Sequence, residues 1–219
     1  VDSTLLPHIA ASGHRQPGRI IISHGDLDHA VGLIGLKRHF PSVQYYANLR
    51  SARHPIPACT IGKDWSDGTA SFEVLHPSPF LPYLGNVSSC VLSVKADGAS
   101  ILLPGDIDAS VEARLVSNGL NQHDVLVAAH HGSRTSSTRE FLGSLRPQWV
   151  LIPAGAGNRF GFPHGETLAR YQNMGIHAFS VSECGALRMR LSDRFDPRIE
   201  SARRSRNAVW RWPAAEDCP

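Results

Sequence analysis

Residues 20–29 read Ile20-Ile21-Ile22-Ser23-His24-Gly25-Asp26-Leu27-Asp28-His29. The apolar first part predicts a buried strand over 19–23, and the apolar residues after the stretch predict a helix over 30–40. The loop between the two elements places two histidines and two aspartates within six positions. Such a density of imidazoles and carboxylates is costly to hold together without a cation, because unpaired charges and desolvated polar groups oppose folding. The stretch therefore predicts a metal site.

Four side chains of this loop are the candidate ligands: His24, Asp26, Asp28 and His29. Alternate residues of an extended segment point to the same side, so the first three can converge before the helix brings in the fourth. Imidazoles suit Zn²⁺, Mn²⁺ or Fe, whereas the carboxylates favour harder cations such as Mn²⁺ or Mg²⁺. The alternative is a polar loop in which Asp28 caps the following helix and the histidines are incidental.

A second predicted strand, over 100–103, is followed by Gly105 and Asp106. A carboxylate at such a strand end can bridge two metal ions. Taken alone, this segment is more typical of a cap at the start of a helix, here predicted over 109–118. Beside the first motif, it predicts that Asp106 is a metal ligand.

A third predicted strand, over 125–129, ends at His130 and His131. We expect one of these histidines to bind metal and the other to act as an outer group or proton donor, and the sequence leaves the choice open. Ser133 can offer a hydroxyl or backbone N–H group to a phosphate.

Two loops supply the remaining candidates. Arg159 and His164 follow a predicted strand over 149–153 and can close the site from one side. Asn86 can contact a metal or substrate through its amide oxygen. A purely structural loop or turn is the alternative in both places.

The pattern of elements predicts an α/β layered fold that is not an all-parallel sheet, since hairpins and βα units both occur. The further predicted strands cover 43–47, 71–75, 89–95, 177–181 and 186–191, and the further helices cover 138–145 and 166–174. With 219 residues and 42% hydrophobic content, the chain can bury one large core. No run approaches the roughly 20 apolar residues of a membrane span, and there is no leader, so a soluble domain is expected.

Charge and cysteines add two open questions. The net charge is +3, and arginines crowd the C-terminal end. We expect a tail over 196–219, rich in Arg and Trp, that is either solvated or a phosphate-binding region beside a nucleic acid.

The four cysteines contain no Cys-x-x-Cys pair, so a zinc ribbon is not expected. Cys90 is expected as a small core residue, and Cys59 can pair with Cys184 or Cys218 in an oxidising compartment.

These motifs together resemble the metallo-β-lactamase superfamily, whose hallmark is His-x-His-x-Asp-His after a strand. Here the pattern is His24-x-Asp26-x-Asp28-His29, with aspartate in place of the second histidine. That replacement looks like the C-terminal domain of ComEC-type competence proteins. The further segments that agree are Leu5–Ile9, Asn86-x-x-Ser89, Gly105-Asp106, His130-His131-Gly132-Ser133 and Asn158–His164.

The resemblance implies an αββα sandwich over 1–195 that lacks its first N-terminal strands. It also implies a nuclease that uses one or two divalent ions, most often Mn²⁺ or Zn²⁺, to degrade the DNA strand not taken into the cell. The expected partners are DNA, as single strand or duplex, and the membrane channel domain of the same polypeptide, with no small-molecule cofactor. The expected location is extracytoplasmic (periplasmic), as a domain of a bacterial inner-membrane protein.

The working hypothesis divides the ligands between two metal positions. One position would take His24, Asp26 and either His131 or His164, and the other would take Asp28, His29 and the bridging Asp106. Asp28 or His130 would move the proton. The expected substrate contacts are Asn86, Ser89, Ser133 and Arg159. The alternatives are hydrolysis of a small ester, lactone or cyclic nucleotide, and a catalytically silent module that guides DNA.

Overall fold

The computed structural model describes residues 5–50, 56–191, 198–202 and 218–219. Most of the predicted tail over 196–219, and its boundary with the domain over 1–195, lie outside these residues. The division into domain and tail therefore stays a prediction. In the described part of the chain, no helix is both long and apolar enough to cross a membrane.

The elements alternate along the chain much as the sequence predicts. The strands are β1 (Arg19–Ile22), β2 (Gln44–Ala47), β3 (Trp65–Ser66), β4 (Ala70–His76), β5 (Val91–Ala96), β6 (Ala99–Leu103), β7 (Val125–Val127), β8 (Trp149–Ile152), β9 (His177–Ser180), β10 (Leu187–Arg190) and β11 (Arg198–Ser201). The helices are α1 (Leu5–Ala11), α2 (Leu27–Ala30), α3 (Leu33–His39), α4 (Ala109–Ser117), α5 (Arg139–Leu145), α6 (Gly165–Asn173) and α7 (Val181–Cys184).

Seven strands form one mixed sheet in the order β3-β4-β5-β6-β7-β8-β9. The pairs from β3 to β6 are antiparallel, and those from β6 to β9 are parallel. The hairpin between β5 and β6 turns at Asp97 and Gly98, which both have positive φ, as this tight turn requires. The predicted α/β fold with a sheet that is not all-parallel is confirmed.

β1 and β2 pair in parallel and form a second, two-stranded sheet. Alternate side chains of its strands point to opposite sides, and one of these sides packs on the large sheet. Ile21 and Tyr46 pack against the large sheet, whereas Ile22 and Tyr45 pack into a cluster with α3. In β6, Leu102 packs with residues of α4 and α5, opposite the face that meets the small sheet. The layers are therefore helix, sheet, sheet and helix, which is the predicted αββα arrangement.

The structure differs from the sequence-based expectation after the first motif. The single helix expected over 30–40 is two helices, α2 and α3, separated by Val31 and Gly32. Gly32 occupies the N-cap position of α3, and glycine is a poor helix former. The first of the two helices, α2, begins inside the motif, with Asp26 at its N-cap position.

The sequence left the cysteine pairing open, and neither of the two pairings considered for Cys59 is present. Cys59 is bonded to Cys90, and Cys184 is bonded to Cys218. Cys90 is buried, as expected, but it is a disulfide partner and not a free core thiol. Neither bridge could be derived from spacing, because each one joins segments that only the packed sheets bring together.

Two buried titratable side chains stabilise the helical side of the large sheet. The Glu112 carboxylate accepts hydrogen bonds from the backbone N–H groups of Ser137 and Thr138, at the start of α5. Burial raises the pKa of Glu112 despite these bonds. The His123 ring donates from Nδ1 to the Asn121 carbonyl and accepts from the Ser93 hydroxyl. Burial lowers the pKa of His123, so its neutral form is favoured.

Candidate metal centre

The ends of three strands bring the sequence motifs together: β6 and β7 of the large sheet and β1 of the small sheet. β6 and β7 are parallel neighbours, so the segments that follow them leave from the same edge. The end of β1 is tied to the large sheet by a hydrogen bond from Cys90 N to the Ser23 carbonyl, at 2.9 Å. A further bond, from His130 N to the Gly105 carbonyl at 3.1 Å, joins the second and third motifs.

Four of the predicted ligands form a compact group in which the ligand atoms all lie within 4.8 Å of one another: Asp28, His29, Asp106 and His131. The His29 Nε2 atom lies 3.2 Å from Asp106 Oδ1 and 3.3 Å from His131 Nε2. His131 Nε2 lies 3.2 Å from Asp28 Oδ2. Two imidazoles and two carboxylates at these separations are a donor set suited to Mn²⁺ or Zn²⁺.

His24 and Asp26 lie beside this group. The His24 ring is 4.3 Å from the His29 ring, and its Nε2 atom is 3.6 Å from Asp26 Oδ2. That Nε2 atom is buried and has no hydrogen-bond partner. A buried polar atom without a partner is costly, and a bound cation would satisfy it. The residues present therefore fit a second ion next to the first.

Two serines fix the orientation of these ligands. The Ser23 hydroxyl lies 3.2 Å from His24 Nδ1 and 3.0 Å from His29 Nδ1. The Ser89 hydroxyl accepts a hydrogen bond from Asp106 N and lies 3.3 Å from His24 Nδ1. Hydrogen bonds to the far ring nitrogen set the tautomer and direction of a ligating histidine.

His131, and not His130, belongs to the group of four. Its Nδ1–H donates to the Pro153 carbonyl at 3.0 Å, which leaves Nε2 free to face Asp106. Both histidines have positive φ, near 49° and 55°, a backbone conformation that non-glycine residues rarely adopt. Residues held in such conformations cluster at functional sites.

The other predicted site residues lie outside the group of four, at different distances from it. His130 Nε2 is 3.8 Å from Asp106 Oδ2, and the Asn86 amide nitrogen is 3.4 Å from the same ring atom. His164 lies outside the group, and its Nδ1 accepts a hydrogen bond from Arg134 N. Arg159 is exposed, with its guanidinium over the Phe160 ring.

Two predicted substrate contacts are too enclosed for that role. Ser89 is fully buried and Ser133 is 4% exposed. The Ser133 hydroxyl bonds to the Thr135 hydroxyl at 3.0 Å, within its own loop. We therefore assign positioning roles to both serines in place of the substrate contacts that the sequence predicts.

The cluster carries opposing electrostatic effects. Burial alone would lower the pKa of His29, but its hydrogen bond to Asp106 and the nearby carboxylates leave that pKa raised. Burial alone would raise the pKa of Asp106, but the hydrogen bond and positive charge of His29 leave it lowered. Burial, followed by the charge of His29, lowers the pKa of His24. His24 is therefore favoured as a neutral imidazole, the form that binds a metal ion.

Sequence reasoning missed several residues that shape the site. The Tyr83 hydroxyl accepts a hydrogen bond from Gly25 N, and a Cβ at Gly25 would lie 2.7 Å from it. Ser23 stands directly before the motif, and that adjacency was the available signal. Phe162 packs its ring against both His130 and His131. No local pattern marks Tyr83, because it is 58 residues from its partner.

Comparisons with known proteins agree with this geometry. A family model described as the metallo-β-lactamase superfamily matches residues 5–153. "Recombination protein 2" of Haemophilus influenzae is 30% identical over 90% of this chain and 24% of its own length. "Competence protein ComA" of Neisseria gonorrhoeae is 33% identical over 85% of this chain and 27% of its own. "ComE operon protein 3" of Bacillus subtilis is 27% identical over 88% of this chain and 27% of its own length. The chain thus spans about a quarter of the length of these curated relatives.

Proposed function

The chain belongs to the metallo-β-lactamase superfamily, and we propose that it is a metal-dependent phosphodiesterase that degrades DNA during DNA uptake. The superfamily consists generally of metal-dependent hydrolases. The similarity to competence proteins confirms the resemblance drawn from the motifs. What we propose beyond the family is that the chain is a nuclease and that it acts in DNA uptake.

The observation that carries the proposal is the convergence of four ligand side chains: Asp28, His29, Asp106 and His131. Beside them, His24 and Asp26 would hold a second ion, and the Asp106 carboxylate would be shared between the two positions. This grouping differs from the sequence-based one, because His131 lies with Asp28 and not with Asp26. A donor set that combines imidazoles with carboxylates supports Mn²⁺ or Zn²⁺ and supports a phosphate substrate.

The chain's own side chains would handle the proton and the phosphate. When bound, the ions supply Lewis-acid catalysis and neutralise charge that develops on the phosphate. The Asp28 side chain is 61% exposed and that of His130 is 25% exposed, so both are open to a substrate. We assign proton transfer to one of these two. Arg159 would bind phosphate, since a guanidinium matches its oxygens with paired hydrogen bonds.

The cellular setting extends the proposal. One relative is named a competence protein, and another is named for the ComE operon. We propose that this chain acts beside a membrane channel domain of the same polypeptide, on DNA, at the extracytoplasmic (periplasmic) side of the inner membrane. Two disulfides support a location in an oxidising compartment.

A substrate panel tests the proposal. Purified protein is loaded with Mn²⁺ or with Zn²⁺ and offered single-stranded DNA, duplex DNA, a cyclic nucleotide, a lactone and a p-nitrophenyl ester. We expect DNA cleavage that EDTA abolishes, with little turnover of the ester or lactone. A control variant is Glu166→Gln, which replaces an exposed carboxylate on α6 and should cleave DNA like the wild type.

Two outcomes would overturn the proposal in different ways. Turnover of the ester, lactone or cyclic nucleotide without any action on DNA would indicate a small-molecule hydrolase. Binding of less than one metal equivalent, with no turnover of any substrate, would indicate a module that only guides DNA.

A further inference from the structure

The loop that follows β8 presents two stacked aromatic rings at the rim of the metal centre. The Phe160 and Phe162 rings lie 5.5 Å apart with an interplanar angle of 20°. Phe160 is 56% exposed, although an aromatic side chain gains free energy from burial. Single exposed apolar residues are common on protein surfaces, so what distinguishes Phe160 is the set of groups around it.

The inner ring of this pair connects the loop to the candidate metal ligands. Phe162 stacks on His131 at 6.1 Å between ring centroids and meets the edge of His130 at 5.4 Å. The flat surface of Phe160 is thus one ring away from a histidine of the four-ligand group. A planar group resting on the outer face of Phe160 would be separated from His131 by the two phenyl rings.

The loop holds its exposed ring in a fixed position. The Asn158 side-chain amide donates to the carbonyls of Gly155 and Phe162 and accepts from the N–H groups of Phe160 and Phe162. The loop is also seated on the histidine segment, because a Cβ at Gly132 would lie 2.7 Å from Pro163 Cβ. An exposed ring on a backbone that is held in this way needs little ordering of the loop when a ligand binds.

A positive charge accompanies the exposed ring. The Arg159 guanidinium carbon lies 4.7 Å from the centre of the Phe160 ring. A guanidinium in this position can stack on aromatic faces and can bind phosphate oxygens. An aromatic face next to a cation is the combination that proteins use to hold single-stranded nucleic acids.

We propose that Phe160 is a stacking platform for an unpaired nucleobase, and that Arg159 binds the phosphate next to that base. In a duplex, neighbouring base pairs cover both faces of each base, so only an unpaired or terminal base can use the platform. The site therefore selects single-stranded over duplex nucleic acid. This inference rests on the proposed function, to which it adds the substrate class.

Binding measurements isolate the platform from the chemistry. The probes are a fluorescent oligothymidylate, an abasic oligonucleotide of the same length and a covalently closed circular duplex that has no terminal base pairs, each titrated in EDTA so that no cleavage occurs. We expect Phe160→Ala to weaken oligothymidylate binding by about fivefold or more. The abasic probe and the duplex should bind the variant and the wild type equally, because neither has an unpaired base to stack.

Two further variants control for hydrophobicity and shape. Phe160→Trp keeps a stacking face and should bind oligothymidylate at least as tightly as the wild type. Phe80→Ala removes a phenyl ring that is 92% exposed and belongs to another loop, so its oligothymidylate binding should be unchanged. An equal loss in Phe80→Ala and Phe160→Ala would overturn the inference, since it would reflect general hydrophobic contact.

The outcomes separate this inference from the proposed function. DNA cleavage by the wild type, together with unchanged oligothymidylate binding by Phe160→Ala, would overturn the platform alone. Selective loss of oligothymidylate binding in Phe160→Ala would support the platform even if the wild type cleaves no DNA, in which case only the proposed nuclease activity fails.

Discussion

Gly105→Ala offers a quantitative test of how the metal centre is held together. Gly105 has φ near +60°, and a Cβ there would lie 3.0 Å from Ser89 Cβ and 3.1 Å from Ser23 Cβ. These neighbours are the first atoms of their side chains, so they cannot rotate away, and the backbone must shift. Because the same two serines orient His24 and Asp106, the shift should reach the ligands.

The free energy of unfolding of Gly105→Ala should fall for two reasons. The left-handed conformation costs a non-glycine residue about 1–2 kcal/mol, and the crowding adds about 1–3 kcal/mol. The matched control is Gly119→Ala, where φ is +79° and no atom lies within 4 Å of a Cβ. The free energy of unfolding of this control should fall only by the contribution of the left-handed conformation.

The assay is urea unfolding for the free energy of unfolding, combined with calorimetric titration of Mn²⁺. Gly105→Ala should lose more stability than Gly119→Ala, and its Mn²⁺ affinity should fall by about 10- to 100-fold, as when an outer-sphere group of a metal ligand is lost. Mn²⁺ affinity should be unchanged in Gly119→Ala. Equal stability losses in the two variants with unaltered Mn²⁺ affinity in Gly105→Ala would refute the reasoning.

Three other predictions concern stability. Glu112→Gln replaces one acceptor oxygen with a donor facing a backbone N–H group and should lower the free energy of unfolding by about 1–3 kcal/mol in urea, whereas Glu140→Gln, at an exposed position, should have little effect. The pKa of His123 is lowered in the folded protein, so the stability that this residue contributes is present above about pH 6.5 and is lost as the pH falls. The difference in free energy of unfolding between the wild type and His123→Asn should therefore shrink from about pH 7.5 to about pH 5.5. A constant or growing difference would contradict this. Replacing both Cys59 and Cys90 with alanine opens a bridge with a sequence separation of 31 and should cost about 3–4 kcal/mol, and an unchanged urea midpoint would argue against that bridge.

The convergence of the candidate ligands was predictable from sequence because these residues stand where predicted strands end. β1, β6 and β7 deliver His24, Asp106 and His131, and parallel strands bring such ends to one edge. The sequence could not choose between His130 and His131. That choice depends on the turn geometry after β7 and on the carbonyl of Pro153, which lies 22 residues away.

The remaining features depend on long-range packing. The pairing of Cys59 with Cys90 follows from contact between two segments in the folded protein, and no spacing rule gives it. The roles of Ser89 and Ser133 changed because burial, which the sequence did not reveal, closes both hydroxyls to a substrate. The stacked pair of Phe160 and Phe162 was also not foreseen, because a Gly- and Pro-rich loop has no periodicity that orients side chains.

The measurement that bears most on this account is the rate of single-stranded DNA cleavage as a function of Mn²⁺ for the wild type and for Asp106→Asn. The account predicts a wild-type rate that saturates with Mn²⁺ and is abolished by EDTA. Asp106→Asn should keep its circular dichroism spectrum and lose cleavage by more than about 100-fold, because the proposed bridging carboxylate is gone. Cleavage by the wild type in EDTA, or cleavage by folded Asp106→Asn at the wild-type rate, would contradict the account.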